Sequence, residues 1–172
     1  MKKEIIVLSL FLLSIAFNGQ TTLKEYKAGH TFSVSAPAYM TKTTGLNKAS
    51  TIEFKNLAKD VYTFVIVDTK EELRLLELNY SLIEYYEDFT STFLKSYESK
   101  EFSKPISSKK GNTNFMEFEA SVFDADIKTK VYYLAGIVET EKSYYRVVSW
   151  TTMANKDKYK ADFQKTLYSL ID

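Results

Sequence analysis

Cysteine is absent from this 172-residue sequence, histidine occurs once, and prolines and glycines number only two and five. The missing thiols exclude a disulfide framework, a thiolate nucleophile and a lipid-modified N-terminal cysteine. One imidazole and no thiolate leave too few ligands for a usual zinc site, so neither a metal nor a cofactor is expected. A Ser/His/Asp arrangement would have to recruit His30, and no Gly-x-Ser-x-Gly elbow is present to hold its serine. At the start of a first strand, His30 reads as an ordinary strand-edge residue, and no catalytic residue is assigned. The five glycines form no cluster of the kind that cradles phosphate. An excess of one charge is missing too: without Lys2, Lys3 and Glu4, residues 20–172 carry 21 basic and 21 acidic side chains. Nothing therefore pulls the chain electrostatically towards nucleic acid or anionic lipid.

What is present begins with a leader. Met1-Lys2-Lys3 is a short basic start, Ile5–Phe17 is an apolar run of thirteen residues, and small and polar residues follow. That is the layout of a secretory signal peptide, and the run is short for a membrane span. Cleavage is expected after Ala16 or after Gly19, the latter leaving Gln20 first; the alternative is an uncleaved N-terminal anchor. The chain reads as a signal peptide at 1–19, an extended lead-in at 20–29 and one α+β domain at 30–172. It is expected to be exported, to the periplasm or beyond, with no stable membrane span once the leader is removed. With 45% hydrophobic and 26% charged residues the domain has material for a real core, which must hold by packing alone.

The stretch from Phe115 to Thr152 organises the rest. Met116, Phe118, Ala120 and Val122 alternate with Glu117, Glu119 and Ser121, the period-2 signature of a half-buried strand. After Asp124-Ala125-Asp126, the segment Ile127–Val138 is apolar on both parities, as is Tyr144–Thr152 after a second polar turn. Strands dry on both faces need cover on both, which predicts an antiparallel β-sheet flanked by helices on both faces, an α/β/α sandwich. Turns centred on Ala125 and Glu141 set Phe118 beside Tyr132, Tyr132 beside Trp150 and Gly136 beside Arg146, all on one face.

Before this meander, Phe32–Ala36 is a short strand stopped by Pro37, Tyr39–Ala49 a loop or weak hairpin, and Thr51–Lys55 and Val61–Val67 are strands. Thr69-x-x-Glu72 and Ser81-x-x-Glu84 open two helices, the first to about Leu78 and the second continuing towards Ser99. In the second, Leu82, Tyr86, Phe89, Phe93 and Tyr97 make a stripe that faces the sheet. Phe102–Ser108 is a strand interrupted by Pro105, and Lys110-Gly111-Asn112 turns into the meander. Asn155 is placed to cap a last helix, Lys156–Leu170, with Tyr159, Phe163, Leu167 and Leu170 along one side.

This order, the opening Phe32-Ser33-Val34-Ser35-Ala36-Pro37, the Lys110-Gly111-Asn112 turn and the Tyr-Tyr-Arg-Val-Val-Ser-Trp segment at 144–150 resemble the PsbP-like superfamily of PsbP/DcrB-like exported proteins. The resemblance covers His30 to Ile171. It implies an antiparallel sheet between helical layers, used mostly as a non-catalytic accessory or binding module. It carries over no metal or partner residue, since no matching motif is present.

Candidate functional residues are few. Glu117 and Glu119 share a strand face and read as surface charge, although an enclosed pair would suit acid-base work. Asp124 and Asp126 read as a polar turn in preference to calcium ligands. Arg146 has two readings: anion recognition in a crevice with Tyr132, Tyr144 and Trp150, or an ion pair with Glu84, Glu87 or Asp88. The low-specificity binding surface is therefore Tyr132, Tyr144, Arg146 and Trp150. The function expected is an exported, non-enzymatic accessory or binding protein whose partner is an unknown protein. The alternative is a carrier of a small hydrophobic ligand in a helix-sheet cavity, with an extracytoplasmic hydrolase third.

Overall fold

The structure, a computed structural model, describes residues 21–29 and 32–172; the leader at 1–19 and His30 lie outside the described residues. The lead-in is a strand: β1 (Leu23–Ala28) runs antiparallel to β2 (Phe32–Pro37), with Leu23 opposite Pro37 and Ala28 opposite Phe32. β3 (Thr41–Thr43) and β4 (Ile52–Asn56) form the weak hairpin, and β5 (Val61–Thr69) follows a 3-10 turn capped by Asn56.

Both helix starts form as the sequence indicates. Thr69 Oγ1 accepts from the Glu72 amide at the head of α1 (Lys70–Leu75), and Ser81 with Glu84 makes a full capping box on α2 (Leu82–Thr92). Both helices end earlier than periodicity suggests. Glu77 takes a left-handed φ of 60° and closes a Schellman motif, the Leu78 amide donating to Leu73 O at 2.9 Å and the Glu77 amide to Arg74 O at 3.0 Å. At the end of α2 Phe93 turns extended and Leu94 goes to φ 58°, so Tyr97 leaves the helix and the buried side chains are Tyr85 and Phe89.

Pro105 divides the next strand into β6 (Lys100–Phe102) and β7 (Ile106–Lys110), which share the outer edge of β8 (Thr113–Asp124). β9 (Thr129–Glu139) and β10 (Ser143–Thr152) complete the meander, and α3 (Lys156–Leu167) ends the order. Asn155 does not cap α3; its Nδ2 donates to Thr152 Oγ1 at 3.1 Å.

The main sheet has eight strands, in the order β3-β4-β5-β10-β9-β8-β6 with β7 also on β8, and every pairing is antiparallel. α3 and the β1-β2 ribbon cover one face, burying Phe54, Phe115, Leu134, Tyr145, Phe163 and Leu167. α1 and α2 lie on the other, over Phe64, Phe118, Ile137, Tyr144 and Val148. This is the expected α+β architecture with helices on both faces. Each fully buried side chain of this size contributes about 1.5–3 kcal/mol of transfer free energy.

The register differs from the expectation, and the turns explain it. Asp124 Oδ1 accepts from the amides of Asp126 and Ile127, and Lys128 takes φ 50°, so the first turn occupies residues 125–128. Phe118 consequently pairs with Ala135, not Tyr132. At the second turn the Thr140 amide donates to Ser143 O at 2.9 Å, placing Trp150 opposite Tyr133 and Val147 opposite Gly136. A one-residue slip inverts the faces of a strand. Tyr132 and Gly136 therefore lie on the α3 face, while Arg146 and Trp150 lie on the α2 face. Gly136 makes room for α3 instead of for Arg146: a Cβ there would stand 2.6 Å from both Cδ atoms of Leu167.

Candidate functional site

The four residues read as a binding surface separate into three places. Tyr132 is buried on the α3 face, its hydroxyl without a hydrogen-bond partner. Tyr144, on the α2 face, stacks on Tyr85 at 4.4 Å and 11°, and its hydroxyl donates to Tyr80 O at 2.6 Å beneath the corner between α1 and α2. Only Arg146 and Trp150 share a cleft.

Arg146 is in an ion pair, with Asp68 on the neighbouring strand instead of with α2: Nη2 lies 2.6 Å from Asp68 Oδ2. The Tyr85 hydroxyl donates to the same oxygen, and the guanidinium lies 5.9 Å and 5.8 Å from the ring centroids of Tyr85 and Phe89. The Arg146 charge is thus matched within the fold, which leaves Nε buried without a partner.

The cleft has a volume of about 870 Å³ and opens beside α2, between the Phe93–Tyr97 turn, the Leu46-Asn47 loop and the β8-β9 turn. The loop is fixed by Glu53, whose buried carboxylate accepts from the amides of Leu46 at 2.8 Å and Asn47 at 2.7 Å and from the Ser50 hydroxyl. Burial pushes the Glu53 pKa up, but these hydrogen bonds outweigh it and hold it below the ordinary carboxylate range.

The floor is a row of cross-strand aromatics. Trp150 is paired with Tyr62 on β5 and Tyr133 on β9, ring centroids at 5.1 Å and 15° and at 6.1 Å and 25°. Nearly parallel rings this close overlap in an offset stack. Trp150 thus has a ring on either side, and the row offers the cleft its edges and polar tips instead of flat faces. Burial, with Asp60 beside it, raises the Tyr62 pKa, and burial with Tyr97 beside it raises that of Tyr133. Both hydroxyls stay protonated well past neutral pH, that of Tyr62 directed to Asp60 and that of Tyr133 to Tyr97. Leu94, held at a left-handed φ, forms part of the lip. Sequence reading missed Tyr62 because it sits in an unremarkable strand, and missed Tyr133 because the slipped register put Tyr132 in its place.

Space under α2 itself is filled. Phe89 and Phe93 pack edgewise on Phe118, and Tyr85 stacks flat on Tyr144.

The remaining acidic candidates have structural partners. Glu117 and Glu119 are covered by α3 instead of being open to solvent. Glu117 is 3% exposed and accepts from Gln164 Nε2 at 2.8 Å, while Glu119 meets Lys156 and Lys160, each at 2.5 Å. Alternation alone marks these positions as wet because it does not show that α3 crosses them. Burial raises the Glu119 pKa, but its two lysines overcome that and lower it. Asp124 organises its turn through Oδ1 and accepts from the Tyr97 hydroxyl through Oδ2 at 3.2 Å. Among the described residues no cluster of three carboxylate or imidazole side chains is placed to hold a metal ion, and no helix is long and apolar enough to cross a membrane.

Protein-family profiles give no match to this sequence, and a search of curated proteins gives none either. Solved structures do match. PsbP (CyanoP) from the cyanobacterium Synechocystis sp. PCC 6803 superposes with a TM-score of 0.58 at 14% identity, over 93% of this chain and 98% of that one. The protein PA94 from Pseudomonas aeruginosa superposes with a TM-score of 0.54 at 9% identity, over 87% and 96%. LpqN of Mycobacterium tuberculosis, involved in cell envelope biogenesis, gives 0.54 at 7% identity, over 88% and 90%. At such identities the likeness shows the fold, which is PsbP-like.

Proposed function

We propose that this protein is an exported, non-enzymatic binding module of the PsbP-like kind, and that its ligand seat is the cleft on the α2 face. The observation that carries the reading is the Tyr62-Trp150-Tyr133 row flooring a cleft of about 870 Å³. That size suits a small-molecule or single-segment ligand. Filled space under α2 argues against enclosure of a purely apolar cargo there. Ring edges and polar phenolic tips favour an amphipathic ligand. The leader-like start of the sequence supports export to the periplasm or beyond, and the involvement of the structural neighbour LpqN in cell envelope biogenesis is in keeping with it.

Trp150 is the only tryptophan in the chain, so its fluorescence reports on this cleft alone. The test titrates the protein with three probes, a lysophospholipid, a chitooligosaccharide and an extended peptide rich in serine and phenylalanine. A saturable change in Trp150 emission with one of them, lost in Tyr133→Ala, is the expected result. Flat emission with all three, or binding that survives Tyr133→Ala and Tyr62→Ala, overturns the assignment.

A further inference from the structure

A second surface lies at the corner where α1 gives way to α2, and it stands independently of the cleft. Leu75, Leu76, Leu78 and Ile83 are 79%, 68%, 38% and 55% exposed. Four large aliphatic side chains within nine consecutive residues make an apolar area of a few hundred Å², about the size at which surface patches on a monomer are often functional. The local structure shows why they are outside. The Schellman motif at Glu77 ends α1, and the capping box at Ser81 starts α2 afresh four residues later. Tyr80 and Leu73 turn inward against the core, while Leu75, Leu76, Leu78 and Ile83 face outward.

The corner also has a socket. A pocket of about 250 Å³ opens beside it, walled by Leu73, Leu78, Tyr80 and Tyr144 with Lys70 and Arg74 at its rim. Its volume fits one aliphatic or aromatic side chain, the arrangement by which interfaces seat an anchor residue.

The charge around the corner says what kind of partner brings that anchor. Residues 70–88 contain Glu71, Glu72, Glu77, Glu84, Glu87 and Asp88 against Lys70 and Arg74. None of the six carboxylates is in an ion pair among the described residues, and Lys70 is already matched by Glu139 at 2.8 Å. With Lys70 matched and Glu141 beside Arg74 at the pocket mouth, the corner as a whole keeps an excess of carboxylates around its apolar centre, which repels a second copy of itself and repels anionic lipid. It attracts a basic surface that carries an apolar residue.

We infer that the α1-α2 corner is a docking surface for a partner protein that presents an aliphatic or aromatic anchor, flanked by lysine or arginine, to the pocket beside Leu78.

The test uses the full chain and a fluorescein-labelled amphipathic peptide of leucine and lysine, with a leucine and glutamate counterpart as control, read by anisotropy. Saturable binding of the basic peptide is expected, weakened at least tenfold by Leu75→Ser combined with Leu76→Ser. Glu71→Gln with Glu77→Gln, and high salt, weaken it severalfold. Both leucines are largely exposed, so the double variant keeps its fold, which a thermal melt verifies. Leu57→Ser, at a leucine 67% exposed elsewhere on the surface, leaves binding unchanged. Equal binding of the acidic peptide, or an equal loss in Leu57→Ser, overturns the inference. So does binding to phosphatidylcholine or phosphatidylglycerol vesicles, or self-association, if Leu75→Ser with Leu76→Ser abolishes it.

Discussion

Leu167 of α3 lies directly over Gly136 of β9, so closely that both its Cδ atoms occupy the contact shell of the missing side chain. Leu167 is fully buried and has nowhere to swing. Gly136→Ala should therefore lift α3 from the sheet and lower stability by about 1–3 kcal/mol, the usual cost of overpacking. Urea unfolding measures it, and an unchanged midpoint would show that α3 does not dock here.

The Glu119 carboxylate should make stability depend on acid. Its pKa is lowered in the folded state, so its contribution is present above the unfolded value, about 4.3, and is lost as pH falls through the folded one. Glu119→Gln should lose about 1 kcal/mol at pH 7, since the partner lysines are about one-third exposed. The variant should also show a smaller fall in stability between pH 7 and pH 3 than the parent, as measured by denaturant melts at each pH.

Glu77 takes a conformation that suits glycine. At φ 60° its side chain opposes the backbone, and it makes no ion pair among the described residues. Glu77→Gly should raise stability by about 1 kcal/mol, visible as a higher melting temperature. A lower one would show that the glutamate is held by something other than helix termination.

Tyr132 and Tyr133, neighbours in sequence, should behave oppositely. Tyr132→Phe removes a buried hydroxyl that has no partner, which should leave stability unchanged or raise it by about 1 kcal/mol, without altering Trp150 emission. Tyr133→Ala uncovers one face of the indole and should shift that emission to the red. A spectral response to Tyr132→Phe would put the register of β9 in error.

Alternation makes the strands of this fold legible in the sequence, and the Thr69/Glu72 and Ser81/Glu84 pairs reveal both helix starts on the α2 face. Register is another matter, because it is set by how many residues each turn absorbs. Asp124 captures two amides and lengthens the first turn, and Thr140 closes the second one residue later than composition suggests. Since faces alternate with every residue, the second difference is enough to move Tyr132 away from Trp150 and bring Tyr133 in. The covered glutamates are hidden for a related reason: whether a polar residue meets water depends on which helix crosses it, and no single strand records that. Arg146 is legible as a paired arginine, but its partner across the strand pair is found only once β5 and β10 are known to be adjacent.

The entry of the chain into the fold bears on how the protein can be handled. Thr21 Oγ1 donates to Asp162 Oδ2 of α3 at 3.0 Å, and the Ala38 amide donates to Thr22 O, so residues 21–22 are fastened on the α3 side with the sheet between them and Trp150. A tag or linker fused immediately ahead of Thr21 leaves from that side. Protein immobilised through such a tether turns its tryptophan outwards, ready to meet whatever is passed over the surface.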